Sequence, residues 1–283
     1  MTPWIRPAWV RGARRARLET WALLDGARID DALERARAEV DDDAAWDALE
    51  VTVRARATDG GRLDAALAGR PLMTLESRSE HERVEVARCQ RYVELAASPA
   101  DSPSLIVLQA QLAVVGALAA EGDLTLALDA PTARWWSPDE LAALGPASRP
   151  FALDEHVQVV IESVERRPGV GHLVRSRGLD KFARANIGGR APRRDAERIA
   201  ELVRDVARML AEGAELRPGD RLRVPDLPPL TIAPRADDAL SDAPADSAPL
   251  YELRDLDDGG RPAPTCERLI AALRPRAKLK VVR

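Results

Sequence analysis

Apolar and polar residues change places with a period of two between Leu49 and Arg56. Leu49, Val51, Val53 and Ala55 fall on one face and Glu50, Thr52, Arg54 and Arg56 on the other, which predicts a half-buried strand. Upstream, Arg17 to Leu24 reads as a strand. Ile29, Leu33, Ala36 and Val40 follow at helical spacing with acids opposite them. Downstream, Asp59-Gly60-Gly61 reads as a turn, followed by a short helix and a strand near Leu72 to Leu75. The order β-α-β-α-β over residues 1–80 predicts a small α+β sandwich.

The pattern is clearer over residues 81–226. Arg91 to Ala96 reads as a strand, and Ser102-Pro103 as the cap and first position of an apolar helix closed by Gly122. Leu124 to Leu128 is the next strand. In Ser137-Pro138-Asp139-Glu140, Ser137 and Glu140 can each satisfy a free backbone amide, as in a capping box. Val157 to Val164 and His172 to Ser176 flank Arg166-Arg167-Pro168-Gly169 as a hairpin. Ile199, Leu202, Val203, Val206 and Leu210 form one stripe of a helix ended by Gly213, and Arg221 to Val224 makes a last short strand. This β-α-β-β-α-β order is the split βαβ, ferredoxin-like arrangement. Residues 227–249, rich in Pro, Asp and Ala, read as a connector. Residues 250–283 read as a small strand-turn-helix-strand extension that must dock on a larger region. The expected fold class is α+β, with two ferredoxin-like sandwiches and a small C-terminal α/β extension.

Composition sets bounds on this picture. The 283 residues are 46% hydrophobic and 31% charged, enough for a packed core and for two domains. Aromatics are only 4%, so Leu, Val, Ile and Ala must fill the interior. The net charge of −4 carries no message about a polyanionic partner. Of 42 basic residues, only Lys181, Lys278 and Lys280 are lysines. With so much Ala, this points to a GC-rich bacterial genome and lowers the meaning of any single Arg cluster. Cys89 and Cys266 sit in no metal or redox spacing and read as reduced thiols. Met1 to Arg17 holds no apolar run of signal-peptide length. Ser104 to Ala120 is uncharged, but it contains Gln109 and Gln111 and falls short of the roughly 20 residues a bilayer needs. It reads as a buried helix, and the expected location is cytoplasmic, without membrane.

Candidate chemistry is sparse. His81 sits in a polar run and reads as a solvated loop residue. His156 follows Asp154 and Glu155, a carboxylate–histidine grouping, yet as a strand-end residue it reads first as a surface group. The hairpin separates it from His172 by some 25 Å, at roughly 3.3 Å per residue, so the two cannot share a metal. No G-x-S-x-G or P-loop is present, and Gly169-Val170-Gly171 has too few glycines for a dinucleotide fingerprint. No catalytic residue, metal ligand or cofactor is assigned. From Arg166 to Arg198 the chain holds ten Lys or Arg and three acids. There Ile187-Gly188-Gly189-Arg190 reads as a loop before a helix, able to receive an anion through Arg190 and free amides. A solvated face is the plainer reading. Nucleic acid is disfavoured, since only Phe182 is aromatic in that run. In Trp135-Trp136, adjacent strand residues face opposite ways, so one indole should fill core. Trp135 is kept as a binding candidate because an indole can anchor a partner.

Several of these segments together resemble an uncharacterised family of bacterial domains of unknown function, over about residues 92–224. The resemblance rests on Leu153-Asp154-Glu155-His156-Val157-Gln158, Arg177-Gly178-Leu179-Asp180-Lys181-Phe182, Trp135-Trp136-Ser137-Pro138 and the Gly213 to Val224 segment. Ala183, Ala185 and Asn186 stand where the family carries Gly, Pro and Asp. The resemblance implies no activity. The leading expectation is therefore a non-catalytic interaction or accessory protein, offering strand edges and sheet faces to a protein partner or to its own copy. The alternative is an enzyme or a small-molecule or anion binder with a site near the 154–177 hairpin, using Asp154, His156, Arg175 and Arg177.

Overall fold

The computed structural model describes residues 2–25, 28–121, 124–144, 151–163, 172–223, 228–234, 250–256, 261 and 267–273. The chain forms two compact units: residues 1–156 with 180–183, and residues 157–179 with 184–283. Among the described residues no helix is long and apolar enough to cross a membrane.

The first unit holds β1 (Leu18–Leu24), α1 (Ile29–Glu39), α2 (Asp43–Asp47), β2 (Glu50–Ala55), α3 (Arg56–Leu67), α4 (Arg70–Leu75) and α5 (Glu80–Arg88). It continues with β3 (Arg91–Ala97), α6 (Ile106–Ala120), β4 (Leu124–Asp129), β5 (Arg134–Trp136), α7 (Pro138–Leu144) and α8 (Leu153–His156). Its sheet is antiparallel throughout, in the order β2-β3-β1-β4-β5. Both faces of this sheet are covered, so β1 reads as an almost unbroken apolar run rather than an alternating one. Ala22, Leu24, Val93 and Leu95 join residues of α1 and α6 in one core cluster. Trp21, Leu23, Tyr92, Leu126 and Leu128 join Leu63, Leu67, Leu75 and Val86 in the other. The two glutamines of α6 are buried and paired. Gln109 accepts from Trp4 N at 2.7 Å and donates to Thr2 O at 3.1 Å, and Gln111 donates to Leu95 O at 3.4 Å.

The second unit holds β6 (Gln158–Ser163), β7 (His172–Arg177), β8 (Asn186–Ala191), α9 (Ala196–Ala211), β9 (Arg221–Leu222), β10 (Leu230–Pro234), β11 (Leu250–Asp255) and α10 (Glu267–Leu273). Its sheet runs β6-β7-β8-β11-β10-β9, with β8 and β11 parallel and the other neighbours antiparallel. The predicted stripe of α9 is buried, from Ile199 to Leu210.

Several expectations are corrected. Residue 80 is no boundary, because β1 pairs with both β3 and β4. The strands expected to form one sheet over 81–226 are divided between two: β3 and β4 lie in the first, β6, β7 and β9 in the second. β10 falls inside the expected connector, and β11 completes the second sheet by parallel pairing of Leu250 with Asn186. Asp59-Gly60-Gly61 lies within α3, where the turn signal survives only as a kink at Asp59. Leu72 to Leu75 is helical, started by Gly69 at φ 70° and by Pro71 in the first turn. His81 lies in α5, behind a capping box of Ser79 and Glu82. The Ser137–Glu140 box forms as expected. The turn at Arg166–Gly169 and the strand expected at Leu279 to Val282 lie outside the described residues.

Candidate functional site

The six candidates fall into two groups of three. Trp135, Asp154 and His156 belong to the first unit; Arg175, Arg177 and Arg190 belong to the second.

In the first unit, Trp135 is a core residue. It is 3% exposed, and its Nε1 donates to Pro71 O at 2.9 Å. Trp136 fills the opposite face, with the Arg134 guanidinium 3.5 Å from its ring centroid. Asp154 is exposed on α8, and Arg134 donates to its backbone oxygen at 3.4 Å. His156 is not the surface group its neighbours imply: it is 4% exposed. Its ring stacks on Phe151 with centroids 5.3 Å apart and planes 6° apart, and Trp4 and Phe182 close the cluster. The local cause is α8, a single helical turn that carries Asp154 outward and His156 inward. Cys89 is a free, buried thiol, and burial pushes its pKa up.

Close to this cluster, a short helical turn over Leu179–Phe182 places a buried ion pair. Lys181 Nζ lies 2.6 Å from Asp129 Oδ2, which also accepts from Thr132 Oγ1 at 2.7 Å. Arg6 pairs with Asp101 and donates to Phe182 O at 3.0 Å. Arg6, Asp101, Lys181 and Phe182 line a cavity of about 80 Å³ together with Leu18 and Leu105. Ligand pockets hold about 300–1,000 Å³, so this space suits a few waters. Its charges are mutually satisfied. It is a packing and solvation feature.

The second group converges. Side chains on paired strands share a face when their residues are register partners or lie two apart. Arg175 pairs with Gly188, Leu173 with Arg190, and Gly188 with Glu252. Arg175, Arg177, Arg190, Glu252 and Arg254 therefore point to one side of the sheet, and Glu162, opposite Leu173, joins them. Glu162 accepts from Arg175 and from Arg177, each at 2.9 Å. Burial works against its charged form, but these two cations outweigh it and hold the carboxyl below its ordinary range. Glu252, 3% exposed, accepts from Arg190 at 3.3 Å and from Arg254 at 2.8 Å. Among the described residues, four guanidinium groups thus share two carboxylates, and their side chains keep 15–29% exposure.

The anion loop expected at Ile187–Arg190 is instead strand β8. A Cβ on Gly188 would stand 2.7 Å from Val174 O, and one on Gly189 would stand 3.2 Å from Ile199 Cγ2. The glycines serve close approach between strands and to α9, not a flexible turn. Arg175, Arg177 and Arg190 are legible in the sequence as candidates; Glu162, Glu252 and Arg254 join them only in the structure. The alternation of Glu252 and Arg254 with Tyr251 and Leu253 was the available signal, though it says nothing about which strand lies alongside. No protein-family model, curated protein or solved structure matches the chain.

Proposed function

We propose that this chain is a non-catalytic interaction protein whose second sheet receives an acidic segment of a protein partner. The observation that carries the reading is the row Arg177, Glu162, Arg175, Arg190, Glu252, Arg254, in which, among the described residues, four oriented guanidinium groups stand beside two carboxylates on one face. Guanidinium groups already oriented by bridging carboxylates lose little freedom when a further carboxylate joins them, and they accept it in fork geometry. The interleaved glutamates disfavour a continuous phosphate backbone, and a polypeptide whose acids are spaced can fit between them. A ferredoxin-like, split βαβ reading of the first unit belongs to the same proposal. It is supported by β3 lying between β1 and β2, by β1 lying between β3 and β4, and by α1 and α6 sharing one core cluster.

Titration of the full chain with poly-L-glutamate, followed by calorimetry at two salt concentrations, tests the binding reading. The expected result is binding that weakens with salt and falls at least ten-fold in Arg177→Ala/Arg190→Ala. Binding unchanged in that variant, or no binding at low salt, would overturn it. Saturable binding of inorganic phosphate, with the polypeptide ignored, would favour the small-anion alternative.

A further inference from the structure

We propose that β2 is a self-association edge, through which two copies of this chain pair antiparallel about a two-fold axis at Thr52. This inference is independent of the Arg face. Among the described residues β2 ends its sheet, none of its six residues is buried, and Val53 is 39% exposed. An uncovered edge presents a row of backbone donors and acceptors to any strand that can lie beside it. What selects the occupant is the order Glu50-Val51-Thr52-Val53-Arg54.

A two-fold axis normal to the sheet keeps each face of one copy on the same side as that face of the other. Only registers in which paired residues come from the same face are then allowed. Centring on Thr52 sets Glu50 opposite Arg54 of the second copy, Val51 opposite Val53, and Thr52 opposite its own equivalent. Opposite charges and apolar side chains thus meet twice each. Centring on Val51 or on Val53 sets no opposite charges facing each other within the strand. Glu50 is exposed and has no polar partner among the described residues. Arg54 uses Nε on Glu94 and Nη1 on Asp59, and its Nη2 bonds to none of the described residues. One carboxylate and one N–H edge are therefore available on each copy.

The other edges lack this match. Self-pairing of β6 about Val160 would set Gln158 against Glu162, which already accepts from two arginines. β5 has three residues with both indoles buried, and β9 has two.

Sedimentation equilibrium of the full chain over a concentration series tests the proposal. The expected result is a monomer–dimer equilibrium between the 30.8 kDa chain and twice that mass. Glu50→Arg, which faces arginine with arginine, should weaken it at least ten-fold without changing the circular dichroism. In a Cys266→Ser background, mild oxidation should cross-link Thr52→Cys to its own equivalent and leave Glu50→Cys monomeric, since only residue 52 meets itself. A chain that stays monomeric at every concentration overturns the proposal. So does a dimer indifferent to Glu50→Arg, or one in which Glu50→Cys cross-links and Thr52→Cys does not.

Discussion

A lysine occupies position 181 in a chain whose other basic residues, as far as Arg276, are all arginine. Its side chain is 3% exposed and ends 2.6 Å from Asp129. A compact ammonium fits such a site, whereas a planar guanidinium would need more room and more acceptors. The neighbouring Asp180 is buried as well, and its Oδ1 has no hydrogen-bond partner among the described residues. Desolvation raises its pKa from 3.8 to about 6; Lys181 and Arg17 pull it down, and Asp129 pushes it up. Between those two pH values the folded chain holds a proton that the unfolded chain releases. The stability contributed by the protonated group is full below the unfolded value and is lost as pH rises towards about 6. At about 1.4 kcal/mol per pKa unit, the loss has a ceiling of roughly 3 kcal/mol. Asp180→Asn removes that loss. Urea unfolding should find the variant more stable than the wild-type chain at pH 7.5 and nearly equal to it at pH 4. An equal gap at both pH values would mean that Asp180 titrates as an ordinary carboxyl.

Elements differ in how far they could be read in advance, and β8 shows why. Its two glycines signal a loop when the sequence is read alone, because glycine weakens a strand that has room for side chains. In the sheet they are the residues that fit: a Cβ on Gly188 would stand only 2.7 Å from Val174 O. Gly188→Ala should therefore destabilise by about 1–3 kcal/mol through forced strand separation. Gly189→Ala, meeting only the Cγ2 methyl of Ile199 at 3.2 Å, should cost less. Thermal unfolding of the two variants separates them, and equal losses would count against the close-approach explanation. Where the local signal is strong, as in the alternation of β2, the apolar runs of β1 and α6 and the stripe of α9, the sequence suffices. It was insufficient for α4, where Pro71 and a preceding positive-φ glycine start a helix in an apolar run short enough to pass for a strand. The arginine–glutamate face was half legible for a related reason. Arg175, Arg177 and Arg190 are near neighbours in sequence, whereas Glu252 and Arg254 reach them through a parallel pairing that no local pattern encodes.

At the scale of the whole molecule, connectivity matters most. Residues 180–183 belong to the first unit, although the chain on both sides of them belongs to the second. Those four residues supply the partner of Asp129, the carbonyl that Arg6 holds at 3.0 Å, the carbonyl that receives Arg17 N at 3.0 Å, and the Phe182 ring beside Phe151. The first unit is thus incomplete when the chain stops at residue 156, despite containing every strand of its own sheet. Asp129→Asn distinguishes this account from a general loss of packing, because its effect should change sign. In the full chain it leaves Lys181 buried without its counter-charge, which costs about 3–5 kcal/mol. In the fragment 1–156, Lys181 is already gone, and the same substitution removes a stranded carboxylate and should stabilise by about 1 kcal/mol or more. Urea unfolding of the four proteins measures both signs. If Asp129→Asn weakens the fragment as it weakens the full chain, Lys181 is not what holds Asp129 in place, and the segment 180–183 acts through packing alone.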